Sequence, residues 1–150
     1  MLRIAPLRTA ERARWEQLWS EYQLFYGVKI PANVTARTWQ RLQDGQVHGL
    51  GAHDAADVLV GFVHFLYHED TWSTAAACYL QDLYVDPAVR GGGCGRRLIE
   101  SVAAAAAAAG ANSPYWLTHT TNAVARQLYE RLGVNDGFIQ YVYRSPANTG

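Results

Sequence analysis

The chemistry-bearing residue types of this 150-residue chain gather in two places. The first is Arg90-Gly91-Gly92-Gly93-Cys94-Gly95, placed after an apolar stretch that ends at Asp86-Pro87 and before an alanine-rich one. A strand that runs through a glycine-rich turn into a helix start leaves backbone N–H groups unpaired at the positive end of the helix dipole, and glycines let a ligand approach the main chain. A pyrophosphate suits such a place. The dinucleotide fingerprint GxGxxG fails because Arg96 stands where its third glycine belongs, and no Gly-Lys-Ser/Thr follows to make a P-loop. The second group is aromatic and acidic: Tyr22, Tyr26, Trp39 and Trp72 with Glu69 and Asp70, a combination suited to a cationic amine. Cys78 and Cys94 have neither CxxC nor Cys/His spacing, so no metal site and no disulfide framework is expected.

These residues must be positioned by an alternation of strands and helices. Ile4 to Leu7 reads as a first strand, and Thr9 as the cap of a helix in which Arg12, Trp15, Leu18, Trp19 and Tyr22 recur at helical spacing up to Gly27. A weaker helix is expected from Val34 to Leu42 and a strand from Val47 to His53. Val58 to Tyr67 is β-branched and aromatic, which predicts a central strand buried on both faces. Cys78 to Val85 follows as a strand, Arg96 to Ala109 as a helix closed by Gly110, Tyr115 to His119 as a fifth strand, Ala123 to Leu132 as a helix capped by Asn122, and Phe138 to Tyr143 as a closing strand. Interleaving of this kind argues for one domain, residues 1–150, with a mixed sheet and helices on both faces.

Thirteen basic and thirteen acidic side chains cancel, so no global field draws the chain to nucleic acid or an anionic membrane, and no basic stripe is present. The N-terminal apolar stretch is too interrupted for a signal peptide, and no run is long enough for a membrane helix. With its two thiols, the chain is expected in the cytoplasm.

The pattern Arg90-x-x-Gly93-x-Gly95 after a strand ending in Asp86-Pro87 resembles the acyl-CoA-binding motif of the GNAT acetyltransferases. Asn122, Ala125, Leu128, Tyr129 and Gly133 are similar to a later signature of the same family, so the resemblance covers most of the chain. Leu80 to Val85 and Trp116-Leu117-Thr118 look like the branch holding the yeast histone, polyamine and D-amino-acid acetyltransferases, and the diamine acetyltransferases. The resemblance implies an α/β fold with a mixed, mostly antiparallel sheet of 6–7 strands and about four helices. It also implies an acetyl-CoA-dependent transfer to a primary amine, by direct attack in a ternary complex. The acceptor would be a small molecule such as a polyamine, a lysine-like compound or an amino acid; a protein lysine or N-terminus, or a non-catalytic acyl-CoA-binding domain, are the alternatives. Edge exposure of the last strand, together with family habit, points to a homodimer.

Residue by residue, the resemblance assigns the pantetheine arm to the backbone of Leu83, Tyr84 and Val85. The phosphates fall to Arg90, Gly91, Gly92, Gly93, Cys94, Gly95 and Arg96 (with Arg97 nearby), and further cofactor contacts to Asn122 and Tyr129. Tyr129 occupies the family's general-acid position. A free amide at Leu83 or Tyr84, left by a strand bulge, would polarise the thioester carbonyl. An alkyl ammonium is neutral in only roughly one molecule in a few thousand at pH 7, a barrier of ~4–5 kcal/mol, so a proton acceptor is required. In the diamine acetyltransferases a glutamate occupies the position of Gln81, which cannot take a proton. Asp82, Glu69, Asp70 and His119 remain as groups near the expected cleft, and of these Asp82 is taken as the base, acting directly or through water. Tyr26, Trp72, Gln81, Asp82 and His119 are the expected acceptor-binding residues, and strand alternation is expected to put Gln81 and Asp82 on opposite faces.

Overall fold

A computed structural model describes residues 1–146 and divides them into two compact units, Met1–Leu117 and a second beginning at Thr118. The first unit is built on a four-stranded antiparallel sheet in the order β1 (Arg3–Pro6), β2 (His48–His53), β3 (Leu59–His68), β4 (Ala77–Val85). Three helices accompany it, α1 (Arg12–Phe25), α2 (Ala32–Gln43) and α3 (Cys94–Ala108).

β3 runs through the middle of the unit, and its residues Leu59 to Phe65 are all buried, as its β-branched and aromatic composition predicts. From Gly61 on, the even-numbered side chains of β3 face α1, and Leu59 shares that face because the register skips Val60: Phe62 and Leu59 join Trp15, Leu18, Trp19, Trp39 and Tyr84 in one apolar cluster. Trp15 stacks on Trp19 with ring centres 5.7 Å apart and leans on Trp39 of α2 at 4.9 Å. Its odd-numbered side chains face α3. There Gly61 is required, because a Cβ at this position would lie 3.0 Å from the Tyr84 carbonyl oxygen and 3.5 Å from Cys94 Sγ. The absent side chain is what lets the first turn of α3 close onto the sheet. α3 then buries Leu98, Ile99, Val102 and Ala106 in its i, i+4 row, and small alanines keep the helix near the strands. Gly110, at φ +71°, ends it in a Schellman motif, with Ala111 N–H donating to the Ala106 carbonyl and Gly110 N–H to that of Ala107.

The start of α1 departs from expectation. Thr9 does not cap it; its hydroxyl donates to Gln43 at 2.7 Å. The cap is a box one residue earlier, in which Glu11 accepts from the Arg8 backbone at 2.8 Å and from the Arg8 guanidinium at 2.6 Å, and a 3₁₀ turn over Thr9–Glu11 leads into the helix. Glu11 also meets Nε2 of the fully buried His53 at 2.6 Å. Arg3 and Arg8 both reach Asp57 in the β2–β3 turn, so one ionic cluster ties β1, the start of α1 and that turn together.

The sheet is smaller than the 6–7 strands expected. Among the described residues it has four strands, and Tyr115 adds only a single parallel bridge to Tyr79. Parallel pairing is weaker per residue, and it stops where β4 itself becomes irregular at Gln81, so 116–119 forms no strand. Phe138 to Tyr143 forms none either; apolar, β-branched composition makes a strand only where a ladder receives it. In the second unit α4 (Ala123–Leu132) begins at Asn122 as expected, although the Asn122 side chain donates to Thr118 Oγ1 at 3.1 Å and caps no backbone N–H.

Two outcomes follow from this packing. Gly61→Val is expected to lower stability by ~1–3 kcal/mol, since overpacking here pushes on backbone, and a urea midpoint equal to that of the parent would count against it. Hydrogen bonds from Arg8 and Arg3 hold the Asp57 carboxyl down to about 2. Partial burial works to raise Glu11, but bonds from Arg8 and His53 outweigh it and leave it lowered. Folded values below unfolded ones contribute stability that is present above about pH 4 and lost as the pH falls from there. Urea midpoints between pH 6 and 2 are expected to fall less steeply in Asp57→Asn, which tolerates the left-handed φ of +64° at this position.

Candidate functional site

β4 holds the site, and one extra residue in it arranges everything around it. His64 pairs with Asp82 and Phe65 with Leu80, which leaves Gln81 without an opposite number, a β-bulge. Phe65 and Val63, across from Leu80 and Leu83, face α3, whereas Asp82 and Tyr84 share the α1 face with His64 and Phe62. The bulge puts Gln81 on that α1 face too, and both Gln81 and Asp82 line one cleft. The expectation that alternation separates them is thereby corrected: strict period 2 fails where a residue is inserted.

The bulge also switches the outward main-chain groups. Before it, the Cys78 carbonyl and the Leu80 N–H point to the outer edge, where both bond Tyr115 at 3.0 Å. After it, Asp86 N–H bonds the Val60 carbonyl at 2.8 Å, and antiparallel alternation then turns Tyr84 and Asp82 toward β3 and Leu83 and Val85 outward. The Val85 carbonyl accepts from Arg90 Nε at 2.9 Å on that open side. Of the two amides expected to be free, Leu83 is thus the one on the open edge, and that of Tyr84 belongs to the ladder.

Asp82 sits at the end of a hydrogen-bond chain that only one proton arrangement satisfies. An indole N–H can only donate, so Trp15 Nε1, 3.0 Å from His64 Nε2, requires that nitrogen to be the acceptor. The proton of the neutral imidazole is then on Nδ1, which donates to Asp82 Oδ2 at 3.0 Å. Tyr22 donates to Asp82 Oδ1 at 2.9 Å. Both carboxylate oxygens therefore receive a donor, and the Asp82 side chain is held in a fixed orientation. His64 is 1% exposed, so this chain is shielded from competing water.

The cleft beside Asp82 has a volume of about 410 Å³ and is walled by Trp19, Tyr22, Tyr26, Val28 and Ile30, with Arg41 and Thr38 from α2. Tyr26 and Gln81 are placed there as expected; Trp39 is buried in the core, and Trp72, 91% exposed in the β3–β4 turn, lies outside it. His119, Asn122 and Tyr129 belong to the second unit, where the Tyr129 carbonyl accepts from Gly133 N–H at 2.8 Å and the His119 carbonyl from Asn122 N–H at 3.0 Å. Sequence reasoning missed His64, Trp19 and Arg41. His64 had a signal, as the one polar side chain within the apolar run Leu59 to Leu66.

The glycine segment has the expected form. Gly91 and Gly93 take φ values of +86° and +78°, and α3 starts at Cys94 with Gly93 as its cap. The first helical bond is Arg97 N–H to the Gly93 carbonyl at 3.0 Å, and among the described residues the amides from Gly91 to Arg96 have no acceptor. Added Cβ atoms at Gly91 or Gly93 would meet nothing, so these glycines are required by their φ and leave open space over the loop. Arg96 pairs with Glu100 at 2.8 Å, Arg97 donates to the Leu2 carbonyl at 2.6 Å, and Arg90 lies over the Tyr84 ring at 5.2 Å. The Cys94 side chain is buried against Gly61 and burial pushes its thiol up, so it contributes to the loop through its backbone. An anion with two or three phosphoryl oxygens fits this donor set. Among the described residues no group of His, Cys, Asp and Glu could hold a metal ion.

Comparison with known proteins adds to this geometry. The sequence pattern of the Acetyltransferase (GNAT) family matches residues 7–134. The chain is 32% identical over 142 residues to the D-amino-acid N-acetyltransferase of Saccharomyces cerevisiae, covering 92% of this chain and 88% of that one. Its fold is similar to that of a ribosomal-protein-alanine N-acetyltransferase from Brucella melitensis biovar Abortus, at 24% identity and a TM-score of 0.81, covering 97% and 99% of the two chains. It is also similar to AAC(6')-Iy in complex with the bisubstrate analogue CoA-S-monomethyl-acetylneamine, at 15% identity and a TM-score of 0.82, covering 97% and 98%.

The proton arrangement around His64 has a direct readout. Nitrogen shifts of the His64 ring at neutral pH are expected to show a protonated Nδ1 and an unprotonated Nε2. His64→Leu, which leaves Trp15 Nε1 without its acceptor and Asp82 Oδ2 without its donor, is expected to reduce stability by ~2–4 kcal/mol. The opposite tautomer, or a variant as stable as the parent, would refute the arrangement.

Proposed function

Because the chain belongs to the acetyltransferase (GNAT) family, whose members use acetyl-CoA, we propose that its acceptor is the amine of a small molecule bound in the cleft against β4. It is an N-acetyltransferase. The bulge at Gln81 carries the reading, since it turns an anchored carboxylate toward the cleft and the Leu83 and Val85 main chain toward the opposite, open edge. In this proposal the cofactor's pantetheine arm runs along that edge as an added strand would, bonding Leu83 and Val85. Its pyrophosphate takes the free amides of Gly91, Gly92, Gly93, Cys94, Gly95 and Arg96, with Arg90 beside it. Bound acetyl-CoA supplies the activated acyl group; the chain's own residues hold the amine, remove its proton and receive the charge that develops.

Asp82 attracts and orients the ammonium. An alkyl ammonium outranks a typical carboxylate by about six pKa units, so leaving the proton on any carboxylate costs ~8–9 kcal/mol, whereas release to water at pH 7 costs ~4–5. Asp82 therefore acts through water, passing the proton outward. The Leu83 N–H is aimed at the acyl oxygen, and Tyr129 keeps the role that the family resemblance implies, a hydrogen bond to the leaving sulfur, with Asn122 beside the cofactor. The small-molecule reading is supported by the D-amino-acid N-acetyltransferase relative and by a cleft of about 410 Å³, the size of a small-ligand pocket.

The same proposal treats residues 1–150 as one catalytic domain, since the family match runs from residue 7 to 134 across both units. A cytoplasmic location is supported by two free, buried thiols at Cys78 and Cys94, and no helix among the described residues is long and apolar enough to cross a membrane. A homodimer is supported by the exposed side chains of Phe138, Ile139, Tyr141, Val142 and Tyr143.

Thiol release from acetyl-CoA with a pooled set of small amines is expected. Asp82→Asn, which keeps shape and loses charge, is expected to lower kcat/KM at pH 7 by about 30-fold or more, while calorimetry shows the acetyl-CoA Kd within about threefold. Gly93→Val is expected to do the reverse, weakening acetyl-CoA by about tenfold or more because a β-branched residue cannot take φ +78°. Full activity in Asp82→Asn would remove that residue from the reaction, and an unchanged Kd in Gly93→Val would remove the loop from the cofactor.

A further inference from the structure

We propose that Arg41 is a carboxylate anchor in the acceptor cleft, and that the acceptor is accordingly an amino acid, an amine that carries its own carboxylate. The inference rests on the reading of this cleft as the acceptor site and adds the chemical class that the site selects.

Among the residues lining the cleft, Asp82 is the one carboxylate and Arg41 the one guanidinium or ammonium. Their circumstances are opposite. Asp82 has both oxygens occupied by donors from Tyr22 and His64, as an acceptor built in place. Arg41, in the last turn of α2, makes no side-chain hydrogen bond and no ion pair among the described residues, in contrast to Arg8, Arg14 and Arg96, which all meet carboxylates within 2.8 Å. Its own main chain is committed, for its carbonyl accepts from Gln46 and Val47 N–H at 3.0 and 3.2 Å, which fixes where the side chain starts. A second lining residue also has a donor to spare: Trp19 is 5% exposed and its indole N–H has no acceptor among the described residues. The Thr38 hydroxyl is spent on the Val34 carbonyl at 2.9 Å. What this lining lacks is an anionic acceptor.

A zwitterion answers both charges at once: its carboxylate supplies the acceptor that Arg41 and Trp19 lack, and its ammonium meets the carboxylate fixed at Asp82. A diamine of similar length would bring a second positive charge toward an unneutralised guanidinium, so the same residue that favours amino acids works against polyamines. The remaining wall of Trp19, Tyr26, Val28 and Ile30 is apolar and aromatic, suited to an aliphatic or aromatic side chain. Arg41 thereby decides among the polyamine, lysine-like and amino-acid acceptors in favour of the last.

The test is steady-state kinetics on matched pairs: each enantiomer of phenylalanine against phenethylamine, and lysine against cadaverine, with the parent chain, Arg41→Gln and Arg41→Lys. The parent is expected to favour one or both members carrying the carboxylate by more than about tenfold in kcat/KM. Arg41→Gln is expected to shrink that ratio by about 10–100-fold through KM, the range of a charge-assisted bidentate contact, and Arg41→Lys to fall between. A parent that prefers phenethylamine and cadaverine overturns the role of Arg41 while leaving the cleft as the amine site. A ratio unaltered in Arg41→Gln does the same. Tight acetyl-CoA binding with no turnover of any amine sinks the acceptor cleft itself, and this inference with it.

Discussion

A single inserted residue in β4 is the constraint on which the site depends. Without the bulge at Gln81, alternation would leave one of Gln81 and Asp82 facing away from the cleft, and the amides of Leu83 and Val85 would be spent on β3. With it, a strand that belongs to the sheet at one edge is free at the other. The Tyr115 bridge stops just before the insertion, at Tyr79, so the open length of edge begins where the carboxylate stands. The cleft-facing carboxylate and the outward main chain of Leu83 and Val85 are thus consequences of one irregularity.

The buried polar chain behind the site illustrates how a restricted donor propagates order. Trp15 can only donate, which fixes the tautomer of His64, and that in turn fixes the proton that Asp82 receives. A histidine among Phe62, Val63 and Phe65 would be expensive if unpaired, and here both ring nitrogens are used. The aromatic cluster of Trp15, Trp19, Trp39 and Phe62 does more than supply buried area. It holds the indole where the imidazole needs it and supports the aromatic wall that Tyr22 and Tyr26 extend to the cleft.

Gly61 has a comparable part on the other face. Its missing side chain allows Cys94 to rest against the sheet, which places the first turn of α3, and with it the unpaired amides, next to the end of β4. The glycines of the loop act through backbone angle, and Gly61 through space. Both kinds are needed to bring the unpaired amides at the start of α3 beside the end of β4.

Local features were legible in the sequence because their causes are local. The apolar run of β3, the helical spacing of α1, the glycine turn into α3 and the stop at Gly110 each depend on neighbours along the chain, and each stands close to where periodicity and turn chemistry predict. The cap of α1 at Arg8 rather than Thr9 was hidden, since Thr9 is drawn away by Gln43, 34 residues on. The strands expected after Tyr115 were not formed, because a strand exists only where another edge accepts it, and that edge is a tertiary object. The bulge, the pairing of Trp15 with His64 across 49 residues and the convergence of Arg41 with Asp82 were likewise decided by packing alone. Sequence by itself determined the helices, the strands up to β4 and the glycine turn that leads into α3. Only the folded chain decided which charged groups face one another, since that depends on register and contact between segments that carry no information about each other.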